Sequence, residues 1–175
     1  MFYTSIMNHL FIINNAECKP YTHELSRRGI KQAKDLSISI ANRCRDESLR
    51  IISSTSLYSI STAEVISDNL CSDYETKEEL FADSLRKPDY DRIQKLIDNP
   101  EQDSKEENKE KGNSKKKKLT VILIANDLVS NGFSDYFLEE MKKSHGVNIE
   151  RINPGEGVYF TLEKEDYEIL KENGD

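Results

Sequence analysis

The sequence predicts an α/β fold with a largely parallel sheet. Two observations predict it. Apolar runs of strand length recur at Leu10–Ile13, Leu49–Ile52 and Thr120–Ala125. The segments between them carry apolar residues at helical spacing, so strands alternate with helices. The 175 residues suit one domain.

Each element has a local reason. His9-Leu10-Phe11-Ile12-Ile13 followed by Asn14-Asn15 reads as a buried strand ending in a loop. Pro20 lies in that loop, and Ser26 is placed to cap the helix that follows. Ile30, Ala33, Leu36, Ile40, Ala41 and Cys44 give that helix an apolar face. Leu49 to Ser54 is a second strand. Leu57 to Cys71 is a second helix, with Ile60, Ala63, Ile66 and Leu70 on one side. Asp89 to Asp98 reads as a short helix after Pro88, while Glu79 to Leu85 gives no clear period. Thr120 to Ala125 is β-branched and uncharged, the strongest strand signal in the chain. Ser134 to Ser144 reads as a helix with Phe137, Leu138 and Met141 inward, stopped by Gly146. Two last strands are expected at Val147–Ile152 and Val158–Leu162, joined by the Asn153-Pro154-Gly155 turn.

Residues 99–118 differ in kind. They hold seven lysines and five acidic residues and no large apolar side chain. The stretch reads as a disordered insertion. Its Lys115–Lys118 run is a weak basic signal, and the net charge of -7 argues against nucleic acid as the main partner. No apolar run approaches the ~18–20 residues that span a bilayer, and Met1 to Leu10 lacks the pattern of a signal peptide. Cys18, Cys44 and Cys71 show no disulfide framework, and His9, His23 and His145 show no ligand spacing. A cytoplasmic protein without a metal or cofactor is expected.

Three segments together resemble one family. Phe11-Ile12-Ile13-Asn14-Asn15-Ala16-Glu17 stands where the histidine phosphatase superfamily has a strand ending in Arg-His-Gly. Leu25-Ser26-Arg27-Arg28-Gly29-Ile30-Lys31-Gln32-Ala33 is similar to its Leu-Thr-x-x-Gly-x-x-Gln-Ala helix start. Ser53-Ser54-Thr55-Ser56-Leu57-Tyr58-Ser59-Ile60-Ser61-Thr62-Ala63-Glu64 resembles its Ser-Ser-Pro-x-x-Arg-Ala-x-Gln-Thr-Ala-Glu segment. Val121 to Asn126 stands where a late strand ends in Gly-His, and Asn153-Pro154-Gly155 matches the short phosphohistidine phosphatase branch. The resemblance implies a phosphoglycerate-mutase-like three-layer α/β/α sandwich.

It also implies where the chemistry should be. In the family the first His attacks phosphorus, and two Arg and a second His surround the phosphoryl oxygens. Those places carry Asn14, Asn15, Tyr58 and Asn126 here. An amide nitrogen is delocalised into its carbonyl and cannot replace an imidazole nucleophile. Neutral side chains cannot replace the positive charge that stabilises a transferring phosphoryl group. The four residues are therefore expected to line a degenerate pocket with no catalytic residue. Glu79 and Asp83 are the nearest candidates for an acid loop, and His23 for a replacement nucleophile. Lys19, Arg27 and Arg28 could attract anions. The resulting expectation is a pseudophosphatase that acts by binding another protein or simply by its folded surface. Its four altered residues are expected to form a self-satisfied polar cluster in a disused cleft rather than to hold a neutral polar ligand or a peptide side chain. The alternative is a divergent phosphohydrolase using non-standard residues.

Overall fold

The computed structural model describes residues 7–98 and 118–172. The expected insertion at 99–118 lies outside them except for Lys118, which pairs with Glu163. Six strands form one sheet: β1 (Met7–Asn14), β2 (Ser48–Ser54), β3 (Tyr74–Lys77), β4 (Leu119–Ala125), β5 (Gly157–Thr161) and β6 (Asp166–Leu170). Their order across the sheet is β3-β2-β4-β1-β5-β6. The first four run parallel, while β5 pairs antiparallel with both β1 and β6. Four helices flank the sheet: α1 (Arg27–Arg43), α2 (Leu57–Leu70), α3 (Tyr90–Asp98) and α4 (Asp127–Lys142).

The period-2 alternation of each central strand divides the core in two. Phe11 and Ile13 of β1 pack with Ile51, Ile122 and Ile124 against Ala33, Leu36 and Ile40 of α1 and Ala63 and Ile66 of α2. Leu10 and Ile12 pack with Ile52, Val121 and Leu123 against Ile93 of α3 and Phe133, Phe137 and Leu138 of α4. The apolar runs are continuous because both faces are covered. The result is a three-layer α/β/α sandwich. Phe11, Phe133, Phe137 and Phe160 are fully buried, each contributing about 1.5–3 kcal/mol of apolar burial.

Several elements differ from the sequence reading. Val147–Ile152 forms no strand and has no regular secondary structure. Its backbone donors are met by side chains of α4 instead: Asp135 Oδ1 accepts from Ile149 N at 2.7 Å and Asn131 Oδ1 from Ile152 N at 2.8 Å. The edge strands β3 and β6 replace it in the sheet count. Helix α4 begins seven residues earlier than expected, because Asn126 caps it by accepting from Val129 N. It ends at Lys142, where Lys143 takes the left-handed conformation, rather than at Gly146. Ile30 and Ala41 lie on the outer side of α1. Glu78–Leu80 forms a single 3-10 turn, and the chain runs on as a loop to Asp89. No helix among the described residues is long and apolar enough to cross a membrane.

Candidate functional site

In parallel sheets, ligands bind in the crevice beyond the carboxyl ends of the strands. That edge holds an open pocket of about 520 Å³ here, and its walls include Asn15, Glu17, Arg28, Gln32, Tyr58 and Asn153. It is built around the loop that leaves β1.

This loop is tied down by the residues that give the sequence its family resemblance. Ser26 caps α1 by accepting from Gly29 N at 2.9 Å, and its own hydroxyl donates to Glu17 Oε1 at 2.6 Å. Ser26 N donates to the Glu17 carbonyl at 3.0 Å. Gln32 Oε1 accepts from Glu17 N at 3.0 Å, while Gln32 Nε2 donates to the Pro154 carbonyl at 3.1 Å. Thr62 of α2 accepts from Ala16 N at 2.9 Å. Gly29 is required for its lack of a side chain, since a Cβ there would sit 1.9 Å from the Glu17 carbonyl oxygen. Gly155 has φ +78° and donates its N–H to the carbonyls of Asn14 and Asn15, closing the loop from the other side.

The four substituted positions separate in space. Asn15 and Tyr58 line the pocket. Asn15 Oδ1 is buried and accepts from no described residue. Tyr58 is 47% exposed at the first turn of α2. Asn14 is buried beneath the pocket, with its Nδ2 3.4 Å from the Ile152 carbonyl and 3.5 Å from Asp127 Oδ1. Asn126 turns its Oδ1 into the start of α4, and its Nδ2 donates to the Ala82 carbonyl at 2.5 Å. The amides of Asn14 and Asn126 are thus engaged in holding the fold; Asn153 lines the pocket with its Nδ2 donating to Glu156 Oε2 at 3.1 Å, and Asn15 lines it with its Oδ1 buried.

One cation stands in the pocket wall among the described residues, Arg28. Its Nε is 3.0 Å from both carboxylate oxygens of Glu172, and its Nη2 is 2.6 Å from Oε2. Nη1 lies 3.4 Å from Glu17 Oε2. Gln32 Nε2 also donates to Glu172 at 3.2 Å. These hydrogen bonds, Arg28's first, hold the Glu172 carboxyl down to about 2. The cation is therefore shared between two carboxylates. Cys18 also lines the pocket, but burial and then the Glu17 charge push its thiol up. It stays protonated at neutral pH and is not an activated nucleophile.

The other sequence candidates lie elsewhere. His23 borders a separate groove with Lys19, Glu24 and Glu64, and Lys19 is paired with Glu24 at 2.6 Å. Asp83 closes a turn by accepting from Leu85 N and Arg86 N. Glu79 sits in the 3-10 turn, and neither acid reaches the pocket lining. Arg27 is exposed at the first position of α1. Spacing alone does not single out Glu172, which comes from a distant part of the chain, whereas Asn153 belongs to the Asn153-Pro154-Gly155 turn already noted in the sequence.

No family model matches the chain, and no curated protein matches it in sequence. Solved structures do match its shape. A candidate phosphohistidine phosphatase, SixA, from Agrobacterium tumefaciens superposes with a TM-score of 0.61 at 14% identity, covering 96% of this chain and all of that one. This is the phosphoglycerate-mutase-like fold of the histidine phosphatases. A phosphoglycerate mutase from Plasmodium falciparum matches at TM-score 0.51 and 14% identity, over 95% of this chain and 89% of its own. A mycobacterial glucosyl-3-phosphoglycerate phosphatase matches at TM-score 0.55 and 13% identity, over 93% and 96%. Within the phosphoglycerate-mutase-like fold, the pocket described above lies beyond the carboxyl ends of β1 and β2, the edge where open α/β sheets bind ligands.

Proposed function

We propose that this protein is a histidine-phosphatase-like pseudoenzyme that binds a segment of another protein at the carboxyl edge of its sheet. The observation that carries this reading is the pocket wall. Asn15 and Tyr58 are neutral, and Arg28 is already paired with Glu172 and Glu17. Each charge-assisted hydrogen bond to an oxyanion is worth about 1.5–3 kcal/mol, so losing three forfeits roughly 5–9 kcal/mol. That corresponds to roughly four to seven orders of magnitude in rate before the missing nucleophile is counted. The neutral lining at Asn15 and Tyr58 suits a neutral polar group such as a peptide bond.

The surroundings support a protein as the ligand. Tyr21, Leu57, Tyr58, Leu85 and Leu128 are the most exposed large apolar side chains of the loops and helix starts that leave β1, β2, β3 and β4, with Tyr21 at 105% and Leu85 at 94%. Exposed aromatic and aliphatic groups gathered on one side of a domain are the usual mark of an interaction surface. The domain is read as single, with 99–118 as an insertion, and the protein as cytoplasmic. A second reading, a divergent phosphohydrolase, draws on the same open pocket and on Arg28 in its wall.

Purified full-length protein should release no phosphate from an aryl phosphate or a phosphohistidine peptide above the level of heat-inactivated protein. Vanadate-sensitive release that disappears in Tyr58→Ala and Arg28→Ala would favour the phosphohydrolase instead.

A further inference from the structure

We infer that His9, Cys44 and Glu47 form a zinc-type divalent metal site at the amino edge of the sheet, opposite the pocket. The three come from separate places. His9 lies on β1, Cys44 follows the last turn of α1, and Glu47 precedes β2. Folding brings one ligand atom of each to within 4.8 Å of the others.

The geometry is close to what zinc needs. His9 Nε2 is 3.3 Å from Glu47 Oε1. Zinc bonds of about 2.0–2.1 Å to nitrogen and oxygen place two tetrahedral ligands about 3.3 Å apart, so this pair already stands at the required edge. The Cys44 sulfur lies within 4.8 Å of both, and its longer bond to zinc, about 2.3 Å, needs a wider spacing than the nitrogen–oxygen pair.

Each ligand is also held from behind. Tyr159 Oη lies 2.9 Å from His9 Nδ1, which leaves Nε2 to face the metal. Thr120 donates its hydroxyl to Glu47 Oε2 at 2.6 Å, which leaves Oε1 free. Cys44 N donates to the Ile40 carbonyl at 3.0 Å, fixing the residue at the end of its helix. Such outer hydrogen bonds orient ligands and are part of a metal site.

The chemistry of the set selects the ion. A thiolate and an imidazole favour zinc and related borderline cations over magnesium or calcium. Binding forms a sulfur–metal bond and releases the Cys44 thiol proton to solvent. Thiolate and carboxylate then balance the two positive charges, which suits a site where Cys44 is 6% exposed. His9 and Glu47 keep 15% and 11% of their side chains exposed, so a water can complete the tetrahedron. A bound ion would join β1, α1 and β2 across the amino edge of the sheet, independent of what the pocket does.

Full-length protein titrated with zinc against a chromogenic chelator should bind one ion per chain, and its melting temperature should rise on binding. Cobalt substitution should give a thiolate-to-cobalt charge-transfer band. Cys44→Ser should abolish the band and the stoichiometric site, while Cys18→Ser and Cys71→Ser retain both. Tyr159→Phe should weaken binding about 10-fold. If Cys44→Ser fails to fold by circular dichroism, His9→Gln reads the same loss. Absence of zinc binding by the folded wild-type protein overturns the site, leaving a plain hydrogen-bonded cluster. So does a cobalt band that survives Cys44→Ser.

Discussion

Arg28 Nη2 stands 2.6 Å from Glu172 Oε2, so the pocket's cation is held by a carboxylate from just beyond β6. The pair fastens the end of the sheet to the start of α1. It also removes from the pocket the charge that an anionic ligand would seek.

That contact sets a pH dependence. The Glu172 carboxyl is held at about 2, against an ordinary value near 4.5. A depressed carboxyl favours the folded state above the ordinary value, and the benefit is lost as pH falls from about 4.5 toward 2. Arg28 stays charged throughout. Thermal melts of wild type and Glu172→Gln from pH 6 to pH 2 should show a stability difference that shrinks through that window. A difference independent of pH would show that the pair contributes nothing in solution.

The same substitution should leave Arg28 with Glu17 as its remaining carboxylate partner. Exposed ion pairs are worth little, so Glu172→Gln should tighten inorganic phosphate binding by only about 1.4- to 5-fold at low salt. Equilibrium dialysis or calorimetry measures it. Added Arg28→Ala should cancel the gain.

Gly29 tests the scaffold. An alanine there drives Cβ against the Glu17 carbonyl, and overpacking of this kind costs about 1–3 kcal/mol. Urea denaturation of Gly29→Ala should give that loss. Gly146→Ala meets no atom within 4 Å, so its cost comes only from φ +79° and should be about 1 kcal/mol.

Thr62 tests how the loop is hung from α2. Thr62→Val leaves the Ala16 N–H without its acceptor, an unsatisfied donor costing about 1–3 kcal/mol. Hydrogen exchange at Ala16 and Glu17 should speed up before global unfolding. Unchanged exchange there would mean that the loop is held by Ser26 and Gln32 alone.

Much of the fold is legible in the sequence because the central strands are covered on both faces. Leu10–Ile13 and Val121–Ile124 are unbroken apolar runs whose alternate residues feed two separate cores. The edge strands are not legible for the opposite reason. Tyr74–Lys77 and Asp166–Leu170 are charged because one side of each meets water. Val147–Ile152 looks like a strand by alternation, yet Asp135 and Asn131 satisfy its backbone. The start of α4 is hidden by polar residues, and only the Asn126 cap explains it.

At the site, the motif residues that position the loop stand out in sequence: Ser26, Gly29, Gln32 and Thr62 all hold Ala16 or Glu17 in place. Glu172 and the His9–Cys44–Glu47 cluster could not be seen, since their neighbours are assembled only by folding. The pocket therefore keeps its frame while its charged lining is replaced.

The central claim is that this frame no longer supports phosphoryl transfer. Phosphate release should be measured for wild type beside a variant carrying Asn14→Arg, Asn15→His, Tyr58→Arg and Asn126→His, with circular dichroism showing that the variant folds. The account predicts no vanadate-sensitive release from wild type and measurable release from the restored variant. Vanadate-sensitive turnover by the wild-type protein, or a phosphorylated side chain trapped on it by rapid quenching, would contradict the account.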